Sequence, residues 1–126
     1  MFRKAIYAVA LTASAYSATA AMAHPRLIAA SPAANATVAA PTRIQLNFSE
    51  NLVNQFSGID LTMTEMPGMK MGPVKISGIS ATVAPDGKTL IVALARPLAR
   101  GTYKLDYHVV SADTHRIQGS YTFKVR

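Results

Sequence analysis

The stretch Tyr103-Lys104-Leu105-Asp106-Tyr107-His108-Val109 carries an apolar side chain at every second position and a polar or charged one between. Successive side chains leave a strand on opposite sides, so this period of two belongs to a strand with one buried and one wet face. The pattern recurs in both directions along the chain. Ile44, Leu46 and Phe48 alternate with Arg43, Gln45 and Asn47, and Ile59, Leu61 and Met63 alternate with Asp60, Thr62 and Thr64. Leu90, Val92 and Leu94 form a further set, and Tyr121, Phe123 and Val125 close the chain. Leu27 to Ala30 reads as a short first strand, and Val74 to Val83 as another with a break at Gly78.

Turn signals separate these runs: Ser31-Pro32, Ala40-Pro41, Pro67-Gly68, Pro85-Asp86-Gly87 and Arg100-Gly101. No segment after the first 23 residues carries a long, capped 3.6-residue period. About seven short strands with frequent turns predict an all-β domain, an immunoglobulin-like Greek-key β-sandwich or barrel. Leu98-Ala99-Arg100-Gly101-Thr102-Tyr103 fits either a tyrosine corner, in which the phenol returns to nearby backbone, or a plain core aromatic at Tyr103.

The first residues read differently. Arg3 and Lys4 precede an apolar, Ala-rich stretch from Ala5 to Ala15, and Ala21-Met22-Ala23 is a cleavage site of the A-x-A type. A signal peptide over residues 1–23, cleaved after Ala23, is expected, since the apolar stretch is short for a bilayer core of roughly 30 Å. The 103 residues from His24 to Arg126 then make one exported domain, with no transmembrane segment after cleavage. That domain keeps 11 basic and 6 acidic side chains. The basic residues are scattered singly, without the interleaved aromatics of a single-strand groove, which argues against nucleic acid. There is no cysteine, so the fold rests on core packing alone and any soft-metal site must use Met and His.

Two features stand outside that frame. Of six methionines, four fall in one window, Met63-Thr64-Glu65-Met66-Pro67-Gly68-Met69-Lys70-Met71. Met63 continues an inward series and fits a core. Met66, Met69 and Met71 flank a Pro-Gly turn and a lysine, where exposed thioethers suit Cu(I) or line a partner surface. The second feature is histidine. Cleavage after Ala23 would make His24 the first residue, with its α-amino group and Nδ1 able to close a chelate ring. Pro25 has no N–H to offer as a further ligand, so the rest must come from the fold. Asp113-Thr114-His115, in the turn-like stretch Ser111-Ala112-Asp113-Thr114-His115 between the last two strands, supplies two candidates, since side chains two apart in extended chain point the same way. Taken alone, an N-terminal His is an accident of cleavage, and D-x-H is an Asx-turn Asp beside an unrelated His. His108 reads as a solvated strand residue, and Glu50 as either a neighbour of a metal or a strand-end charge.

The chain resembles CopC-type copper-resistance proteins, periplasmic copper carriers of bacteria, along essentially the whole segment after the signal. The matching stretches are His24-Pro25-Arg26-Leu27, Phe48-Ser49-Glu50-Asn51-Leu52-Val53, Gln55-Phe56-Ser57-Gly58, Met63 to Met69, Gly101-Thr102-Tyr103, Ser111-Ala112-Asp113-Thr114-His115, and Gly119-Ser120 before Phe123-Lys124-Val125. The resemblance implies a Greek-key β-fold with copper sites at opposite ends. Cu(II) would be held by His24, Asp113 and His115, with Glu50 nearby as a contributor. Cu(I) would be held by Met63, Met66 and Met69. The chain departs from the Met-rich members at Met71, where they have His, and at Val74, where they have a further Met; Met71 completes an all-thioether set here. The implied role is non-catalytic, passing copper ions to a membrane copper transporter or another periplasmic copper protein. Two other classes share these features: a copper oxidase or monooxygenase with an N-terminal histidine brace, and an adhesion sandwich whose methionine loop is an interface.

Overall fold

The computed structural model describes residues 26–126. The expected signal peptide and cleavage site over residues 1–23, and His24 itself, lie outside the described residues. Nine strands follow in order: β1 (Leu27–Ser31), β2 (Thr37–Val38), β3 (Arg43–Phe48), β4 (Gly58–Met66), β5 (Met69–Lys75), β6 (Ile79–Val83), β7 (Thr89–Leu94), β8 (Gly101–Val110) and β9 (Arg116–Val125). A single 3-10 turn, Asn54–Phe56, lies between β3 and β4. The strands form a four-stranded sheet in the order β1-β3-β7-β6 and a five-stranded sheet in the order β2-β9-β8-β4-β5.

The fold is therefore a sandwich of two sheets and not a barrel. Its strand count exceeds the seven expected for two local reasons. The run from Val74 to Val83 is two strands, since Gly78 adopts a positive φ of 73° and the chain changes sheet there. The second reason is β2, two residues long and parallel to β9, too short to leave a periodic signal. All other ladders are antiparallel.

The inner faces of both sheets supply the core: Ile44, Leu46 and Phe48 from β3, Leu90 and Val92 from β7, Leu61 and Met63 from β4, Tyr103, Leu105 and Val109 from β8, and Phe123 and Val125 from β9. Each aliphatic chain buried there contributes roughly 1.5–3 kcal/mol over an exposed one, which is how the fold manages without a disulfide. The Tyr103 and Phe123 rings stack at 5.6 Å, and Phe48 meets Tyr107 edge-on at 5.5 Å. Tyr103 does form the tyrosine corner: its hydroxyl donates to the Ala99 carbonyl at 2.7 Å.

Strand β8 is the axis on which the candidate sites are arranged. Its first residues pair with the β4 end that carries the methionine hairpin, and its last residue leads into the D-x-H turn. Ten residues of strand at about 3.3 Å each put these two ends roughly 30 Å apart.

Candidate metal centre

The methionine window folds as the β4–β5 hairpin. Pro67 and Gly68 form its tip, and Gly68 adopts a φ of 73°, the Pro-then-Gly pattern of a type II turn. Met66 and Met69 are direct cross-strand partners on either side of that tip. The ladder slips between Met63 and Glu65: Met63 faces Tyr103, while Glu65 faces Thr102. This bulge restores Met66 to the side of the sheet that Met63 occupies, because an extra residue cancels one alternation. Met63, Met66 and Met69 thus share the core-facing side. Met63 is buried at 8% exposure, whereas Met66 and Met69, at 47% and 63%, project past the end of the core. Val74, the partner of Met63, lies on the same side and is half exposed. Met71 belongs to β5, but its side chain lies outside the described residues.

The D-x-H residues meet through a tight turn and not through extended chain. Thr114 adopts a φ of 73°, and its N–H donates to the Ser111 carbonyl at 2.9 Å. The turn brings His115 Nδ1 to 2.9 Å from Asp113 Oδ2. Ser111, 1% exposed, organises the pair: its hydroxyl donates to Asp113 Oδ1 in a short hydrogen bond and accepts the His115 N–H at 3.2 Å. The Ser111 hydroxyl above all, helped by the bond to His115, holds the Asp113 carboxyl below the usual carboxylate range against an opposing effect of burial that ranks second to Ser111. The carboxylate is therefore ionised and oriented at neutral pH.

The strand that starts the described chain reaches the same end. Arg26 is clasped on both backbone groups by Ser49, its N–H donating to Ser49 Oγ at 2.8 Å and its carbonyl accepting the Ser49 N–H at 2.9 Å. Asn51 accepts the Ala112 N–H through its carbonyl at 2.8 Å. Glu50, partly buried, sits between these two contacts. His108 is exposed in β8, its Nε2 lying 3.2 Å from where a Cβ on Gly58 would be, and it does not join the D-x-H turn. Among the described residues, no three His, Asp or Glu side chains form a metal cluster; Asp113 and His115 are a prepared pair. The sequence marks Ser111 to His115 as turn-like but does not single out the Ser111 hydroxyl, although a Ser opening S-x-D-x-H is itself a turn signal.

Comparison with known proteins places this arrangement in a lineage. Residues 27–126 match the family model described as the CopC domain. The chain is 47% identical over 125 residues to copper resistance protein C of Xanthomonas campestris pv. juglandis, covering 99% of this chain and 98% of that one. It is 50% identical over 106 residues to copper resistance protein C of Pseudomonas syringae pv. tomato, covering 84% and 83%. The crystal structure of PcoC, a methionine-rich copper resistance protein from Escherichia coli, superposes with a TM-score of 0.75 at 45% identity, over 82% of this chain and 100% of that one. These relatives are named for copper resistance and none for a catalysed reaction. With its two-sheet sandwich, its methionine hairpin and its D-x-H turn, the chain belongs to the CopC family of copper resistance proteins.

Proposed function

We propose that the protein is an exported, periplasmic copper carrier without catalytic activity, freed from a signal peptide by cleavage after Ala23. Cu(II) is held by His24, through its amine and ring, with Asp113 and His115. His115 binds through Nε2, the ring nitrogen that Asp113 does not engage. Glu50, between Ser49 and Asn51 in the chain, contributes charge at this end. Nitrogen-rich sites of this kind favour Cu(II), and thioethers favour Cu(I), so Met66 and Met69, joined by Met71, take the reduced ion, while Met63 backs them from the core.

The observation that carries this reading is the position of Arg26. Arg26 is held by the Ser49 clasp beside the turn anchored on Asn51, and a mature chain beginning two residues earlier, a span of at most about 7 Å, has the reach to bring its first residue to the Asp113–His115 pair. The Asp113–His115 pair is already oriented by Ser111, which leaves little ordering cost for a third ligand. Among the described residues, no helix is long and apolar enough to cross a membrane, and delivery falls to a membrane copper transporter or another periplasmic copper protein.

The test compares a chain beginning at His24 with one carrying a Gly-Ser extension before it. Cu(II) titration with chelator competition and electron paramagnetic resonance should give tight tetragonal binding that collapses on extension. Equal binding by the two forms removes the amine of His24 from the site and overturns the reading.

A further inference from the structure

The outer face of the five-stranded sheet divides by charge. In its middle, Lys75 lies 3.4 Å from Asp60 and Lys104 lies 3.7 Å from Asp106. Toward the methionine hairpin the balance changes. Lys70, Glu65, Thr102 and Lys124 are successive cross-strand partners and so share that face at one level. Arg100 and Arg126 follow at the ends of the adjoining strands. A hollow of about 280 Å³ brings Met66, Pro67 and Gly68 together with Arg100, Lys124 and Arg126. Among the described residues, Lys70, Arg100, Lys124 and Arg126 make no ion pair with a carboxylate, and Glu65 is the acidic residue in their midst. The exposed thioethers of Met66 and Met69 therefore open beside an excess of unneutralised cations.

We infer that this end of the sandwich docks a protein whose copper-exchanging face is acidic, the collar of Lys70, Arg100, Lys124 and Arg126 meeting its carboxylates while Met66 and Met69 meet its soft ligands. The inference rests on reading the hairpin as a Cu(I) site. The two candidate sites stand roughly 30 Å apart along β8, so a copper ion cannot pass between them by ligand exchange within one molecule. A partner must approach the hairpin itself, close enough for its ligand to bind before a methionine leaves. Fixed charge beside the exchange point raises the encounter rate and sets the approach, without adding to the intrinsic affinity of the metal site. An anionic membrane is a poorer fit. Among the described residues, the large apolar side chains exposed at this end are Met66, Met69 and Val74, with none of the aromatics that anchor a surface in lipid headgroups. Exposed Phe56 belongs to the opposite end, where Val53 bonds the Val110 carbonyl at 2.8 Å.

The experiment follows Cu(I) transfer from the loaded protein to two synthetic peptides with the same Met-x-x-Met core, one flanked by Asp and Glu and one by Lys, by stopped flow at several salt concentrations. The acidic peptide should accept copper on the order of ten-fold faster at low salt, with the advantage shrinking as salt screens the charges. Reversing the collar (Arg100→Glu, Lys124→Glu, Arg126→Glu) should invert the preference, and the matching Gln set should abolish it. Both variants should keep the native Cu(I) affinity in competition with a chromophoric chelator. Equal rates for the two peptides, with Cu(I) bound normally, overturn the docking inference. Absence of Cu(I) binding by the native protein overturns the reading of the hairpin instead. Flotation with phosphatidylglycerol vesicles that is lost in the reversed variant would assign the collar to lipid and overturn it as a protein-docking surface.

Discussion

Met66 and Met69 face each other across the Pro67-Gly68 turn, on the side of the sheet that Met63 fills in the core. Directly opposed side chains in an antiparallel pair lie about 5 Å apart at Cβ, a spacing from which two flexible thioethers reach one ion. Met63 shares their side but is buried opposite Tyr103 and beside Gly101 and would have to leave the core to join them. Replacing both Met66 and Met69 by Leu should lower Cu(I) affinity by at least about ten-fold, or about 1.4 kcal/mol. Met63→Leu should cost less than about 1.5 kcal/mol of stability and change Cu(I) affinity by less than about three-fold, below 1 kcal/mol. Chelator competition reads the affinities and urea unfolding the stability; an equal loss in Met63→Leu would place Met63 among the ligands.

The bulge that aligns these methionines depends on Gly101. A Cβ there would collide with the Glu65 carbonyl oxygen and stand 3.2 Å from Met63 Cε, so the backbone of β4 itself would have to move. Gly101→Ala should destabilise the fold by roughly 1–3 kcal/mol and weaken Cu(I) binding as Met66 loses its register. Gly72→Ala, in the same hairpin but with open space around the added carbon, is the control and should leave Cu(I) affinity unchanged. Thermal unfolding and Cu(I) titration of the two variants check the pair of expectations.

Ser111 holds the other site. Its hydroxyl bonds both the Asp113 carboxylate and the His115 backbone, and groups that orient metal ligands are typically worth 10- to 100-fold in affinity. Ser111→Ala should therefore lower Cu(II) affinity by roughly ten-fold while keeping a tetragonal spectrum, since no proposed ligand is removed. An unchanged affinity would reduce Ser111 to a plain turn residue.

The strands were legible because alternation is a local signal. Tyr103 to Val109, Ile44 to Phe48 and Ile59 to Met63 each show it without help from the rest of the chain. What escaped was set by pairing. The switch of sheet at Gly78 and the two-residue β2 have no periodicity of their own, and both depend on which neighbours are present. The D-x-H pair is legible as a pair and its stretch as turn-like, but the convergence comes from Thr114 in a positive-φ turn and not from extended geometry. The shared side of Met63, Met66 and Met69 could not be read from spacing either, since it depends on a bulge fixed by the close approach of Gly101. The third ligand proposed for the Asp113–His115 pair, His24, lies outside the described residues.

The hairpin joining β6 and β7 makes a prediction in acid. Asp86 accepts the N–H groups of Lys88 at 2.9 Å and Thr89 at 3.0 Å on one oxygen, and the Thr89 hydroxyl at 2.7 Å on the other. The Thr89 hydroxyl first, then the Lys88 N–H, holds this carboxyl below its ordinary value. A carboxyl depressed in the folded state stabilises the fold above its unfolded pKa of about 4, and that stability is lost as pH falls through the folded value. Asp86→Asn should thus flatten the decline in stability below about pH 4, while Asp113, also depressed, keeps part of the decline in place. Thr89→Val removes one bond at near-constant shape, so the Asp86 carboxyl should titrate higher than in the native protein yet remain below ordinary, held by the two backbone donors. Carboxyl chemical shifts followed through an acid titration decide the point. An unmoved Asp86 in Thr89→Val would mean that the backbone donors alone set its pKa, and an unchanged acid limb in Asp86→Asn would place the lost stability elsewhere.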